Sequence, residues 1–243
     1  MLGMDAPEIE KAEARHLDVL RPKGGEEIEL FDARGSSRIY RYDAAAKRLF
    51  AAGSAIAKFQ RPRISLSLFA CITKGSRWDW TIEKATELGV TCIVPVISSR
   101  TIVRLGKGER AAKRERWQRV AMDAARQSNA VWLPEIAEAI EFDGALALAK
   151  KTLCFAGALA EPRPRPLLEV VSDALEKNPG TREVSVFVGP EGDFSSEELK
   201  ALLAFAVPAN FGDLILRAET AAMFGISVLR AAIDAAERKG AIS

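Results

Sequence analysis

The alternation of short apolar runs with longer helical patterns from residue 64 onward is the feature that most constrains the fold. Four runs have the length and composition of strands buried on both faces: 64–72, 92–97, 153–156 and 184–188. Four other segments have the periodicity or the end signals of helices: 77–88, 109–128, 167–177 and 195–205. Strands that alternate with helices in this way favour a mainly parallel α/β sheet.

Individual residues predict how some of these helices end and which faces they bury. Gly89 is suited to end the helix 77–88, and Ser195 with Glu198 has the S-x-x-E spacing of a capping box. The spacing of apolar residues predicts two buried faces, one with Trp78, Ile82 and Ala85, the other with Trp117, Val120, Ala121 and Ala124.

Residues 1–62 follow a different pattern. The segments 27–31 and 37–42 alternate polar and apolar residues, as half-buried strands do, and a glycine-containing turn precedes each. Residues 61–63, Arg-Pro-Arg, are typical of a linker because proline restricts its neighbour and removes a backbone donor. We therefore predict two domains, a small β-rich domain over 1–62 and an α/β domain over 63–243.

Composition narrows the class of protein. Hydrophobic residues make up 48% of the 243 residues, which is enough for a substantial core. Three cysteines without a C-x-x-C spacing (Cys71, Cys92 and Cys154) predict reduced, buried thiols in a cytoplasmic protein. The single histidine, His16, excludes a His-based metal cluster and a Ser–His–Asp triad. The acidic N-terminal segment and the lack of a long apolar run predict neither a signal peptide nor a membrane span.

Positive charge is concentrated in one part of the chain. The net charge is only +2, but residues 98–126 contain nine Lys and Arg against three acids. Such a stretch is either a solvated helix face or a surface that binds a phosphate backbone. Arg100 and Arg104 favour the second interpretation, since they follow a predicted strand end and precede the helix.

Two glycine-containing turns beside buried strands suggest a ligand held mainly by backbone groups. Residues 189–192, Gly-Pro-Glu-Gly, follow a predicted strand, and ligands of open α/β sheets bind at that edge. The segment matches neither G-x-G-x-x-G nor G-x-x-x-x-G-K-[ST], and an ordinary tight turn remains the alternative. The second segment is 212–220, in which Arg217 can steady an anion and Thr220 can cap a helix or bond a ligand. A surface pair of Arg217 with Glu219 is the alternative there.

Four blocks, in this order, resemble the bacterial 16S rRNA uracil-N3 methyltransferases of the SPOUT class (RsmE type). Lys74-Gly75-Ser76-Arg77, followed by IEKATELGV over 82–90, resembles the family's K-ATELGV helix. Ser98-Ser99-Arg100-Thr101 resembles its S-R-S/T turn. FVGPEGDF over 187–194 is similar to its GPEGG loop, and LILRAETAA over 214–222 to its RILR-ETA segment. The N-terminal stretch ARHLDVLRPKGGEEIELFD also resembles the family's PUA-like β-barrel.

The resemblance implies a fold and an activity. The fold is a SPOUT-type α/β domain whose parallel sheet carries a C-terminal trefoil knot, with a small N-terminal PUA-like β-barrel for RNA binding. The activity is methylation of uridine N3 in 16S rRNA of the small subunit by a homodimer, with S-adenosylmethionine as methyl donor and no metal.

The resemblance also implies a role for individual residues. The positions expected at the cofactor are Gly157, Leu159, Gly189, Pro190, Gly192, Phe211, Gly212, Leu216 and Thr220. The positions expected to bind RNA are Lys74, Arg77, Arg100, Arg104, Arg126 and Gln127. Methyl transfer from a sulfonium depends mainly on positioning, and uracil N3 must lose a weakly acidic proton. We expect Arg217 to stabilise the developing imide anion, with Glu191 or Glu219 as proton acceptor.

This chain departs from the family pattern at several positions. Ala130 and Leu214 stand where the family has Arg, and Asp193 stands where it has the second Gly of GPEGG. Two rival interpretations follow. One is a SPOUT methyltransferase with another RNA target, and the other is an RNA-binding homologue without turnover.

Overall fold

The structure is a computed structural model that describes residues 2–3, 7, 17, 21–53, 55–157 and 162–238. His16 and Leu159 lie outside the described residues. The chain divides into two compact units, Met1–Arg61 and Pro62–Ser243.

The first unit is built on an antiparallel sheet of short strands. Its strands are β1 (Glu27–Phe31), β2 (Ser36–Asp43), β3 (Arg48–Ala51) and β4 (Ala57–Lys58). The long strand β2 pairs with β1 along one edge and with β3 and β4 along the other. Tyr40 and Leu49 are fully buried and pack with Leu2 and Leu17. The strands predicted at 27–31 and 37–42 are confirmed, whereas β3 and β4 were not predicted.

The second unit contains a seven-stranded sheet in which every pairing is parallel. Its strands are β5 (Ser65–Cys71), β6 (Cys92–Ile97), β7 (Glu135–Ile136), β8 (Ile140–Glu141), β9 (Leu153–Gly157), β10 (Glu183–Val188) and β11 (Val207–Ala209). Their order is β11-β9-β10-β5-β6-β7, and β8 also pairs with β6. The predicted parallel α/β sheet is therefore confirmed.

Helices cover both faces of this sheet. They are α1 (Ser76–Glu87), α2 (Lys107–Gln127), α3 (Phe142–Ala149), α4 (Leu167–Lys177), α5 (Ser196–Leu203) and α6 (Ala218–Arg238). Alternate residues of a strand point to opposite faces, so β5 contributes to two separate cores. Leu66 and Leu68 pack with α1, α2, α4 and α6, while Phe69 and Cys71 pack with α3 and α5.

Most local predictions for the second unit are confirmed. The helix 167–177 and the strand 92–97 have the predicted bounds. Gly89 follows the end of α1 with a φ of 75°, and its N–H bonds to Thr86 O. Ser195 and Glu198 form the predicted capping box. In α2 the buried residues are Trp117, Ala121, Ala124 and also Ala125, while Val120 is half-buried.

The three cysteines are free thiols. Cys71 and Cys154 are buried, as predicted, and Cys92 is half-buried. Burial raises the pKa of each thiol to about 11. Within the described ranges, no helix is long and apolar enough to cross a membrane. The same residues contain no group of three or more His, Cys, Asp or Glu side chains arranged to hold a metal ion.

Candidate active site at the carboxyl edge of the sheet

Three neighbouring strands deliver three loops to one edge of the sheet. β9 lies between β11 and β10, and all three are parallel, so their carboxyl ends at Gly157, Val188 and Ala209 are adjacent. The segments 189–195 and 210–217 leave from this edge, and the described residues 162–166 belong to the connection that follows β9. It is the edge where ligands bind in open α/β sheets.

The loop 189–195 is folded by its own backbone and anchored by a phenylalanine. Asp193 N donates to Pro190 O over 2.9 Å, and Phe194 N donates to the Asp193 carboxylate over 2.7 Å. The buried Phe194 ring packs against Phe142 and Phe187. A Cβ on Gly189 would lie 3.1 Å from that ring, so the glycine permits the close approach. The predicted turn is confirmed.

Asp193 adopts a conformation that favours glycine. Its φ is 59°, in the left-handed region. The resembling family has glycine at this position, which matches the backbone requirement. Among non-glycine residues, Asp and Asn tolerate this region best because their short polar side chains bond locally. The departure from the family pattern is therefore accommodated without a change in the turn.

The two other loops are joined to each other. Asn210 N donates to Arg165 O over 2.9 Å, and Leu167 N donates to Asn210 O over 3.0 Å. Arg163 donates to Gly212 O over 3.2 Å and forms an ion pair with Asp213. Gly212 has a φ of 115°, which few other residues adopt. These contacts fix the path of 210–213 beside the loop that follows β9.

Phe211 follows β11, and its ring packs against Gly157 at the end of β9; both residues are predicted cofactor positions. A Cβ on Gly157 would lie 3.2 Å from the Phe211 ring. A Cβ on Gly225 in α6 would lie 2.9 Å from Val186 Cγ2 and 3.4 Å from the same ring. The Phe224 ring completes the contact, with centroids 5.5 Å apart. Glycine at 157 thus permits the close approach of Phe211 to the end of β9, and glycine at 225 permits the close approach of α6 to Val186 in β10.

Arg77 lies between two carboxylates at the same edge. One of its guanidinium nitrogens, Nη1, is 3.5 Å from Glu191 Oε1, and Nε is 3.9 Å from Glu219 Oε1. The Glu191 side chain is 28% exposed and the Glu219 side chain only 12%. Glu219 Oε2 is buried and has no hydrogen-bond partner among the described residues. The structure therefore brings Glu191 and Glu219 together around Arg77.

Arg217 precedes the first turn of α6. Its carbonyl accepts from Ala221 N over 2.8 Å, so α6 begins directly after it, at Ala218. Its side chain is exposed and has no hydrogen bond or ion pair within the described ranges. Thr220 lies inside the first turn, so the interpretation of Thr220 as a helix cap is wrong. The alternative pairing of Arg217 with Glu219 is wrong as well, since Glu219 faces Arg77.

Two of the arginines predicted to bind RNA are directed at protein backbone. Arg100 Nη1 donates to Gly192 O over 2.9 Å and to Phe194 O over 3.3 Å. Arg104 donates to Ser98 O and Ser99 O over 3.5 and 3.1 Å. Of the other predicted positions, Arg126 pairs with Asp123, while Lys74 and Gln127 are exposed.

The basic face of α2 is partly used within the protein. Arg110, Arg114 and Arg116 bond to Ala139 O, Ile136 O and Asp79. Across the described residues, three basic side chains of α2 make no hydrogen bond or ion pair: Lys107, Lys113 and Arg119. These three are the cations of the helix that remain available to a phosphate backbone.

Glu198 makes a connection that the sequence did not predict. Its carboxylate accepts from Ser99 N and Ser99 Oγ over 2.7 and 2.9 Å, in addition to Ser195 N over 2.9 Å. Burial alone would raise the pKa of Glu198, but the hydrogen bonds from Ser99 and Ser195 outweigh it and hold the pKa below its usual value. The capping box was recognisable from its spacing, whereas the bond to Ser99 was not.

Residues 60–230 match the family of the RNA methyltransferase domain. The ribosomal RNA small subunit methyltransferase E of Bacillus subtilis is 28% identical over 167 residues, which are 68% of this chain and 65% of that protein. Its namesake in Rickettsia conorii is 30% identical over 168 residues, 68% of this chain and 64% of that protein. The matching region thus spans slightly less than two thirds of these relatives.

Two solved structures are similar over most of the chain. A putative methyltransferase of Legionella pneumophila, in complex with S-adenosylmethionine, is 27% identical, covers 93% of this chain and 92% of its own, and has a TM-score of 0.78. The ribosomal RNA small subunit methyltransferase E of Neisseria gonorrhoeae, also bound to S-adenosylmethionine, is 28% identical, covers 93% and 91%, and has a TM-score of 0.75.

Proposed function

Since the chain belongs to the RNA methyltransferase family, we propose that it methylates N3 of a uridine in 16S rRNA, with S-adenosylmethionine as the methyl donor. The observation that carries the proposal is the meeting of three loops at the carboxyl edge, next to Arg77, Glu191 and Glu219. The similarity to S-adenosylmethionine-bound structures over 93% of the chain supports the choice of donor.

The residues at this edge fit the methyl donor. S-adenosylmethionine is cationic at sulfur and at its amino group, and it offers hydrogen-bond donors from the amine, the ribose and the adenine. Glu219 Oε2 is a buried acceptor that lacks a donor among the described residues. A buried unpaired oxygen is costly, so a ligand donor would stabilise it, and the uracil N3–H would be that donor, while the two carboxylates suit the cationic methyl donor by charge. The cofactor would be held by Gly189, Pro190 and Gly192, by 210–213 and by the loop after Gly157.

The chemistry places different demands on Arg217 and on the carboxylates. When bound, S-adenosylmethionine supplies a methyl group activated by the positive sulfur. The uracil N3–H must lose its proton, and Glu219 is the better acceptor of the two candidates because it is less exposed and keeps one oxygen unpaired. Arg217, with a free guanidinium at the start of α6, would stabilise the negative charge on the imide.

Binding of rRNA would rest on the cations that the protein does not use internally. They include Lys107, Lys113 and Arg119 on α2 and Lys74 after β5. The small β unit over 1–61 would add a second surface, as a PUA-like RNA-binding domain. Contacts of this kind release counterions, so the affinity for rRNA should fall steeply with salt.

The proposal includes a knotted C-terminal segment, a homodimer and a cytoplasmic location. Support for a dimer comes from the segment before α6, where Leu214 is 80% exposed and Ile215 is 91% exposed. Adjacent apolar side chains this exposed are suited to a protein interface. A monomeric mass in analytical ultracentrifugation would exclude the dimer.

Mass-spectrometric mapping of 16S rRNA from cells that lack this protein tests the function. We expect one N3-methyluridine to disappear and to return when the wild-type protein is restored. Loss of a methyl group from another RNA would identify the rival methyltransferase. Calorimetry with S-adenosylmethionine tests the remaining interpretation, an RNA-binding homologue without turnover. Measurable affinity for S-adenosylmethionine supports the enzyme, and its absence would contradict it.

A further inference from the structure

We propose that Arg100 and Glu198 are positioning residues that clamp the loop 189–195 onto the turn 98–101, and that Arg100 is not a phosphate contact. The inference rests on the proposed function in one respect, namely that 189–195 holds the methyl donor. It assigns to Arg100 a role different from the RNA binding expected for this position.

The first half of the clamp is the Glu198 carboxylate. Both of its oxygens accept from Ser99, and Oε2 accepts in addition from Ser195 N at the start of α5. One charged side chain therefore closes the helix cap and holds a turn 99 positions away in sequence. Three donors on one carboxylate, two of them backbone N–H groups, make a strong and directional connection.

The second half is the Arg100 side chain, which lies along the loop that it binds. Its guanidinium donates to the carbonyls of Gly192 and Phe194. A Cβ placed on Gly192 would lie 3.8 Å from Arg100 Cβ and Cδ, so the side chain packs on the glycine as well. The stem and Nη1 are both directed at this one loop, so the loop sets the position of the guanidinium.

The turn that carries the clamp is itself rigid. Ser98 N and Oγ each lie 2.9 Å from Thr101 Oγ1, and both residues are buried. Arg104 closes the turn from outside through Ser98 O and Ser99 O. A rigid base allows the two contacts to fix where the loop 189–195 lies.

The clamp matters because the loop is otherwise held from one side. The buried Phe194 ring anchors its end, whereas Gly189, Gly192 and the left-handed Asp193 leave its backbone with little side-chain support. Arg77 approaches the same loop at Glu191. Transfer of a methyl group is sensitive to displacements of about 1 Å. Removing the clamp should therefore weaken cofactor binding through loss of order in the loop.

The test compares Arg100→Ala, Arg100→Lys and Ser99→Ala with a matched control, Ser195→Ala. The control removes the hydroxyl that caps Glu198 N but leaves the bonds between Ser99 and Glu198. Amide hydrogen exchange of 189–195 without any ligand reports the clamp directly. The dissociation constant for S-adenosylmethionine and the salt dependence of binding to a 16S rRNA fragment report its consequences.

We expect faster exchange of 189–195 and about tenfold weaker S-adenosylmethionine binding in Arg100→Ala and Ser99→Ala, but neither change in Ser195→Ala. The slope of log affinity against log salt should stay unchanged in Arg100→Ala. Unchanged exchange overturns the proposal, and so does a salt slope reduced by about 0.7–0.9, which indicates a lost phosphate contact. If the wild type does not bind S-adenosylmethionine, the proposed function fails, while hydrogen exchange still decides whether the clamp exists.

Discussion

Arg77 Nε lies 3.9 Å from Glu219 Oε1, while Glu219 Oε2 is buried without a partner among the described residues. The same guanidinium is 3.5 Å from Glu191. Arg77 lies in the first turn of α1, so this helix places a positive charge between a carboxylate of the loop 189–195 and one in the first turn of α6. The positive charge of Arg77 lies near Glu219 Oε1, and Oε2 remains available to accept a hydrogen bond from a ligand.

Replacing Arg217 by alanine should reduce methylation about 10²–10³-fold, because the imide anion loses its stabilising charge. The dissociation constant for S-adenosylmethionine should change little, since the exposed side chain makes no hydrogen bond or ion pair with another described residue. Single-turnover methylation of an rRNA fragment, alongside calorimetry, measures both. Arg217→Lys is the control that keeps the charge without the planar fork. Full turnover by Arg217→Ala would contradict the assignment.

Glu219→Gln should slow the reaction by about 10²–10⁴-fold, the range for removal of a general base. Glu191→Gln is the matched control, because Glu191 faces the same arginine from a more exposed position. We expect its turnover to remain within about tenfold of the wild type. Single-turnover rates over a range of pH compare the two variants, and the opposite order of effects would assign the proton to Glu191.

Gly225→Ala should lower the free energy of unfolding by a net ~1 kcal/mol. Overpacking against Val186 costs about 1–3 kcal/mol, and the gain in helix propensity offsets up to about 1 kcal/mol. Gly108→Ala in α2 is the control, since its Cβ would meet nothing within 4 Å, and it should be neutral or stabilising. Urea unfolding measures both. In a double-mutant cycle, Val186→Ala should remove most of the penalty, and simple additivity would disprove the clash.

Asp193→Val should destabilise the protein by about 2 kcal/mol, since a β-branched residue is strained at a φ of 59°. Asp193→Gly suits the same backbone and should stay within about 1 kcal/mol of the wild type. Thermal unfolding of both variants provides the comparison. Equal stability of the two would show that the turn does not depend on the left-handed residue.

The three thiols should react slowly in the folded protein at pH 8. Burial raises the pKa of Cys71, Cys92 and Cys154 to about 11 from a usual value of 9.0, so the reactive thiolate is scarce. The folded pKa lies above the unfolded one, so the stability that these groups contribute is present below pH 9 and is lost as the pH rises towards 11. Urea midpoints between pH 8 and 10.5 should fall less in a triple Cys→Ala variant. Rapid labelling of the three thiols by a thiol-specific reagent in the native protein at pH 8 would contradict their burial.

Periodicity was sufficient to predict the longer elements of the second unit, but not its shortest ones. β7 and β8 have two residues each, which is too few to show a period, and β11 contains Pro208. Proline is tolerated there because β11 is an edge strand. The helix α3 was missed because Gly144 interrupts an eight-residue segment.

The site was predictable in its loops and not in its side-chain pairings. Gly189 and Gly157 are recognisable from the sequence because each follows an apolar strand. The partners of Arg100 and Glu198 are not, since nothing local shows which distant loop a charged side chain will meet. Patterns of charge indicated a basic surface where the structure has several arginines bonded to carbonyl oxygens.

The strands β5 and β10 pair at the centre of the sheet, with Ser65 opposite Glu183, and this pairing affects how the protein folds during synthesis. A nascent chain emerges from its N-terminus, so β5 and β6 are made long before the strand that lies beside β5. Closing a loop of this length is entropically costly and makes folding slow. One edge of the apolar strand β5 therefore stays unpaired until β10 has been synthesised, which exposes the strand to aggregation during translation. The three loops of the site are complete only after β11 and the start of α6 have been synthesised.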